Sequence, residues 1–200
     1  MIATPTIDGK FEQAYLHSVF NLQKELELKE IKSNLLTISG ISIIGYARNL
    51  IVQQFISSNM THILMLDSDM GVDQKSVIDC LESGYDFCAI PYLQRDGKKA
   101  FGVAFGDEMS IGDGQFQEVN YAGTGALVLS KKVFTSLNVN SYELYGEKLM
   151  EYFHNEKAPD GTFVGEDISF CMKWKDSGKK IWLNTYGKTK HIGKHEYVYP

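Results

Sequence analysis

Two pairs of carboxylates and one early arginine are the residues of this chain whose types and spacing could do chemistry. Asp67 and Asp69 stand one residue apart, directly after the apolar run Ile63, Leu64, Met65 and Leu66. Alternate side chains of an extended chain share a side, so the spacing predicts that both carboxylates face one way with Ser68 turned aside. Hard oxygen ligands so arranged suit Mg²⁺ or Mn²⁺ shared with a substrate's phosphates. The plainer alternative is a pair of solvated turn carboxylates ahead of a helix capped by Asp73. Glu166 and Asp167 form the second pair and open a helix, where the macrodipole favours them on structural grounds alone. Of the 20 basic residues only Arg48 and Arg95 are arginine. Arg48 is placed in the first turn of a helix, where a cation opposes the dipole; an anionic ligand would justify it there, and a surface ion pair is the alternative.

These side chains need elements to hold them. The run 63–66 is too short for a helix and apolar throughout, which predicts a strand buried on both faces of a covered sheet. Asp67 and Asp69 then lie at its carboxyl end, where open α/β sheets bind ligands. Residues 1–6 read as a first strand, turning at Pro5-Thr6-Ile7-Asp8-Gly9 and followed by an amphipathic helix with Phe11, Tyr15, Val19, Leu22 and Leu26 on one face. This order makes 3–9 a candidate nucleotide-binding loop. Residues 34–39 read as a second strand, 41–46 are ambiguous, and 47–58 read as a helix with Ala47, Leu50, Ile51 and Phe55 inward. A helix over 73–83 buries Val77, Ile78 and Leu81, and 86–92 return as a strand.

The second half is less regular. Residues 94–99 read as a mobile basic loop, 100–106 as a strand, 107–114 as turns and 118–121 as a further strand. In Gly123-Thr124-Gly125 the glycines let backbone approach a ligand, and the apolar run after them is core. The segment lacks the Gly-Lys-Ser and Gly-x-Gly-x-x-Gly patterns of the common phosphate loops. A short helix is expected over 130–137 and another near 147–154, within the segment 138–161 that is expected to face an acceptor. The helix opened by Glu166 and Asp167 should carry Ile168, Cys171 and Met172 inward and stop at Gly178. A last strand over 179–183 leads to a tail containing His191-Ile192-Gly193 and His195.

Two hundred residues suffice for one well-buried core, so one domain over 1–200 is expected. A net charge of −5 gives no overall electrostatic reason to bind nucleic acid or membranes tightly. Cys80, Cys88 and Cys171 are odd in number and widely spaced, which indicates neither a disulfide framework nor a zinc site. The first residues lack the pattern of a signal peptide, and no apolar run approaches transmembrane length, so a soluble cytoplasmic protein is expected.

Taken together, Ala47-Arg48-Asn49, Asp67-Ser68-Asp69, Gly123-Thr124-Gly125-Ala126, Gly165-Glu166-Asp167 and His191-x-Gly193 resemble, in that order, the motifs of the GT-A glycosyltransferases, particularly short stand-alone members. The resemblance implies a three-layer α/β/α, Rossmann-like fold with a mostly parallel central sheet. It implies a donor that is a UDP- or GDP-sugar and an acceptor hydroxyl on a glycan, lipid, protein or modified nucleic acid base. Thr4, Pro5 and Thr6 would hold the nucleoside, Arg48 would meet phosphate or base, and Gly123, Thr124 and Gly125 would line the donor site. Asp67 would lie near the ribose or sugar, and Asp67, Asp69 and His191 would hold Mn²⁺ or Mg²⁺. Asp167, or Glu166 after it, would be the general base if the transfer inverts. A Gln-x-x-Arg-Trp signature is missing, with Lys173-Trp174 in its rough place, which argues against a polymerising synthase. A haloacid-dehalogenase-type phosphatase, with Lys131 and the Glu166–Asp167 pair as partners of Asp67 and Asp69, is the competing enzyme reading. That family, however, wants its aspartates on the first strand. A non-catalytic sugar-nucleotide-binding module is a third reading, separable by turnover.

Overall fold

The computed structural model describes residues 1–93, 103–104, 114–144, 146–158, 160–193 and 196–199. The expected loop at 94–99 with Arg95, the turns at 107–113, His195, and all of the expected strand at 100–106 except Val103–Ala104 lie outside them. The first half of the chain forms β1 (Ile2–Thr6), α1 (Gln13–Leu28), β2 (Leu35–Ser39), α2 (Ile44–Ser57), β3 (His62–Leu66), β4 (Met70–Val72), α3 (Gln74–Glu82) and β5 (Phe87–Ala89). Then come β6 (Val103–Ala104), β7 (Phe116–Val119), β8 (Tyr121–Ala122), β9 (Ala126–Ser130), α4 (Lys131–Thr135), β10 (Ser141–Leu144) and β11 (Glu147–Met150). The chain ends with β12 (Glu156–Lys157), β13 (Phe163–Val164), α5 (Glu166–Asp176), β14 (Ile181–Asn184), β15 (Thr189–Ile192) and β16 (Glu196–Tyr199).

Seven strands form the central sheet in the order β2-β1-β3-β9-β5-β14-β7. Five of them point one way, and β9 and β7 run against the rest. The strand β3 is central, and its side chains alternate between two cores as a doubly covered strand requires. Ile63 and Met65 pack with α2, α4 and α5 through Ile51, Phe55, Phe134, Phe170 and Trp174. Leu64 and Leu66 pack on the other face with α1 and α3 through Tyr15, Val19, Leu22, Val77 and Cys80. The result is the three-layer α/β/α arrangement. All three cysteines are free and buried. Among the described residues no helix is long and apolar enough to cross a membrane.

Two antiparallel insertions place loops beside the end of β3. The register Leu66↔Ala126 between β3 and β9 puts Gly125 against Asp67, whose N–H donates to the Gly125 carbonyl at 3.1 Å. The register His191↔Met70 between β15 and β4 puts the tail beside Asp69, whose carbonyl accepts the Ile192 N–H at 2.9 Å.

Several local expectations are corrected. Asp67-Ser68-Asp69 is not extended: the Met70 N–H closes a turn on the Asp67 carbonyl at 3.0 Å, so the alternation argument for that segment fails. Helix α2 starts at Ile44, which puts Arg48 in its second turn, not its first. The expected helix near 147–154 does not form: 147–150 are the second strand of the β10–β11 hairpin, bent where Gly146 takes φ +81°, and 151–154 are irregular. The tail forms strands β15 and β16, and α5 buries Ser169, Phe170, Cys171 and Trp174 while Ile168 and Met172 stay half-buried.

The irregular segment after the hairpin is tied to α2 by Asn49. Its Nδ2 donates to the Phe153 carbonyl at 3.0 Å and to the Tyr142 hydroxyl at 3.1 Å, while its Oδ1 accepts the Phe153 N–H at 2.9 Å. A buried amide that satisfies both backbone groups of one residue leaves both orphaned when it is removed. Asn49→Ala should therefore lower the unfolding free energy by about 2 to 4 kcal/mol in urea titrations, with an unchanged m-value.

Candidate functional site

A cavity of about 420 Å³ opens at the carboxyl ends of β1, β2 and β3. Its apolar end is built by Pro5, Thr6, Ile7, Ile41, Ser42 and Ile44. Its charged end is built by Arg48, Asp67, Ser68, Asp69, Glu166 and Asp167, with Tyr92 and Thr124 between them. The two carboxylate pairs, about a hundred residues apart in sequence, thus face one space.

Arg48 joins them. It reaches inward from α2 with its side chain only 5% exposed, and donates from Nη2 to Asp67 Oδ1 at 3.0 Å and from Nη1 to Glu166 Oε1. Burial opposes the guanidinium charge, but Asp67 and Glu166 outweigh it and hold the group firmly protonated. The arginine is therefore no surface ion pair. Both Nη atoms are engaged by carboxylates, so it orients the acidic groups from below.

The Asp69 and Asp167 carboxylates are left with different partners. Asp69 Oδ2 lies 3.6 Å from His191 Nε2. His191 Nδ1 lies 2.8 Å from the Leu93 carbonyl, a contact that requires the proton on Nδ1 and turns Nε2 towards Asp69. Asp167 Oδ1 accepts the Ile168 N–H at 2.8 Å, and among the described residues Asp167 forms no ion pair. A Cβ at Gly165 would stand 3.0 Å from Asp167 Oδ1, so glycine makes room for that carboxylate.

The other expected site residues divide. Pro5, Thr6 and Thr124 line the cavity, and Thr6 Oγ1 donates to the Lys10 carbonyl at 3.1 Å, which folds the loop after β1. Thr4 does not line it: its hydroxyl is fully buried and bonded to the Tyr15 hydroxyl at 2.7 Å, pinning α1 to β1. Gly123 is not at the cavity wall, and Gly125 reaches the site through its carbonyl on Asp67. The proposed three-residue metal set is not gathered as expected. Asp67 turns to Arg48, and among the described residues no group of three His, Cys, Asp or Glu side chains forms a metal cluster.

Ile7 lines the cavity from the expected loop at 3–9, while Tyr92, Ser68, Ile41, Ser42 and Ile44 line it from positions given no site role. The ambiguous run at 41–46 was the only local signal for the last three. Burial, then Asp67 and Asp167, raise the Tyr92 phenol far above its ordinary value, against a hydrogen bond from the Gly125 backbone and the charge of Arg48. It is therefore a neutral hydroxyl.

No family model and no curated protein matches the sequence. Solved structures do match in shape. The A197 protein from STIV is similar over 96% of this chain and 85% of its own, with a TM-score of 0.63 and 15% identity. The catalytic domain of Drosophila beta1,4galactosyltransferase 7, solved with xylobiose, is similar over 92% of this chain with a TM-score of 0.52 and 14% identity. GalNAc-T7, solved with UDP, GalNAc and Mn²⁺, is similar over 96% of this chain with a TM-score of 0.55 and 10% identity. The chain spans 65% and 43% of the length of these last two structures. With its central β3, its antiparallel β9 and helices on both faces, the chain has the GT-A fold of these glycosyltransferases.

Proposed function

We propose that this chain is a single-domain, metal-dependent glycosyltransferase that moves a sugar from a nucleoside-diphosphate sugar to an acceptor hydroxyl. The observation that carries the reading is that the turn after β3 and the start of α5 present carboxylates to one cavity on a GT-A fold, held by a single buried arginine. The apolar end at Ile7, Ile41 and Ile44 suits a base and ribose, and the charged end suits the diphosphate and sugar. The UDP and Mn²⁺ bound by GalNAc-T7 support a donor and cation of this kind.

Asp69 and His191 fit a divalent cation. A carboxylate oxygen and an imidazole nitrogen face each other, with the far ring nitrogen fixed by a backbone carbonyl as metal-ligating histidines usually are. Such a cation, Mn²⁺ or Mg²⁺, would stabilise negative charge on the departing diphosphate. Asp67 stays on Arg48 and contacts the ribose or sugar. Asp167 is the carboxylate free to take the acceptor's proton in an inverting transfer, or to orient the donor in a retaining one. Glu166, bound to Arg48, is committed to structure. Localisation in the cytoplasm belongs to the same reading.

Calorimetry with UDP and GDP, each with and without Mn²⁺, tests the donor. One of the two should bind in a cation-dependent manner; release of phosphate from small phosphoesters would instead support a phosphatase. Asp69→Asn keeps a carbonyl oxygen and loses the charge, so cation-dependent nucleotide binding should weaken by about tenfold or more. Asp167→Asn should leave donor affinity within about twofold and lower kcat by roughly 10² to 10⁴ with the natural acceptor, as steady-state kinetics would read.

A further inference from the structure

Among the described residues Tyr92 is the one aromatic side chain in the cavity wall, and three neighbours hold it. A Cβ at Gly125 would lie 2.9 Å from its Cε1 and Cζ, so only glycine lets the ring rest against the floor of the site. His191 meets the ring edge-on, with centroids 5.8 Å apart and planes at 88°. The backbone around it is tied to β15, where Thr189 Oγ1 donates to the Pro91 carbonyl at 2.7 Å and His191 Nδ1 to the Leu93 carbonyl at 2.8 Å. A side chain fixed this closely presents its hydroxyl at one place, in the cavity that Asp67 and Asp167 also line.

The chemistry of that place selects what can sit there. Among the described residues no side chain takes the phenol proton, and a confined hydroxyl facing a cavity gains from an acceptor supplied by a ligand. A phosphate oxygen would accept the proton but would meet two carboxylates nearby, a costly arrangement for an anion. A neutral sugar hydroxyl accepts from the phenol and donates to a carboxylate, satisfying both.

We propose that Tyr92 reads the donor's sugar, its hydroxyl donating to a sugar hydroxyl that in turn donates to Asp67. The role rests on the donor reading above and narrows it to one contact. It makes Tyr92 a residue that separates nucleotide sugar from bare nucleotide, and it gives Gly125 its purpose.

Calorimetry in Mn²⁺ with UDP, GDP, UDP-glucose, UDP-N-acetylglucosamine and GDP-mannose, on the unaltered chain and on Tyr92→Phe, tests it. The phenylalanine keeps the ring and removes only the hydroxyl. Affinity for the bare nucleotide should stay within about twofold, while affinity for the sugar form that binds should fall by about tenfold. Gly125→Ala, which drives the ring towards the sugar's place, should show the same selective loss at an unchanged circular-dichroism spectrum. Equal affinities of Tyr92→Phe and the unaltered chain for the nucleotide sugars overturn the role. A parallel loss for bare nucleotide overturns it too, since the contact would then be to phosphate, and so does an unaltered chain that binds nucleotide but none of the sugar forms. An unaltered chain that binds neither UDP nor GDP removes the donor reading itself, and this role with it.

Discussion

The guanidinium of Arg48, held between Asp67 and Glu166, is the contact on which the site depends. Two carboxylates facing one small cavity repel, and neither would keep its place without a cation between them. A fully buried cation is as costly without them, so the three groups are stable only together. Each comes from a different element: Asp67 from the end of β3, Arg48 from α2 and Glu166 from the start of α5. Their union sets how two helices meet the sheet edge. Helix α2 is shaped for it, because Gly45, Arg48 and Asn49 fall at spacings of three and four and share a face. A Cβ at Gly45 would stand 3.0 Å from the Phe153 carbonyl oxygen and 3.7 Å from the Glu166 Cβ, and Asn49 holds the backbone of Phe153. One helix face therefore brings the first turn of α5 to the end of β3.

The rest of the site is assembled by strand pairing. Parallel strands with helical crossovers would place only the loops after β1, β2, β3, β5 and β14 at this edge. Inserting β9 antiparallel between β3 and β5 brings the loop before a strand to the same edge, which is how Thr124 and Gly125 reach Asp67. The β4–β15 pairing does the same for His191, and the β15 side chains in turn fix Tyr92. Burial matches this assignment: β5 and β9 are buried throughout and β3 from Ile63 to Leu66, whereas β2, at the sheet edge, alternates between exposed and half-buried residues.

What could be read from sequence was whatever local periodicity encodes. The run Ile63 to Leu66 announced a doubly buried strand, and Tyr15, Val19, Leu22 and Leu26 announced the buried face of α1. The acidic pairs were visible because carboxylates after an apolar run and at a helix start are uncommon together. Long-range partners were not visible. Nothing near Asp67 says that its neighbour is Arg48, so alternation along an assumed straight chain gave the wrong arrangement where a turn intervenes. Thr4 looked like a ligand contact because it lies in the loop-forming end of β1, and Tyr15, eleven residues on, claimed its hydroxyl. Gly146 was a weak signal against the strongly charged run around it, and the hairpin it bends was mistaken for a helix. Tyr92 lay in a strand ending with no mark of function; only the missing side chain of Gly125 reveals its place.

The assembly of the site rests on the coupling between Arg48 and Glu166. A double-mutant cycle with Arg48→Gln and Glu166→Gln, read as unfolding free energy in urea at neutral pH, measures it directly. Partners that stabilise each other while buried should show a coupling of more than about 1 kcal/mol, the double variant being less damaged than the sum of the singles. Strictly additive losses would mean that the arginine does not hold α5 to the end of β3, and would contradict the account.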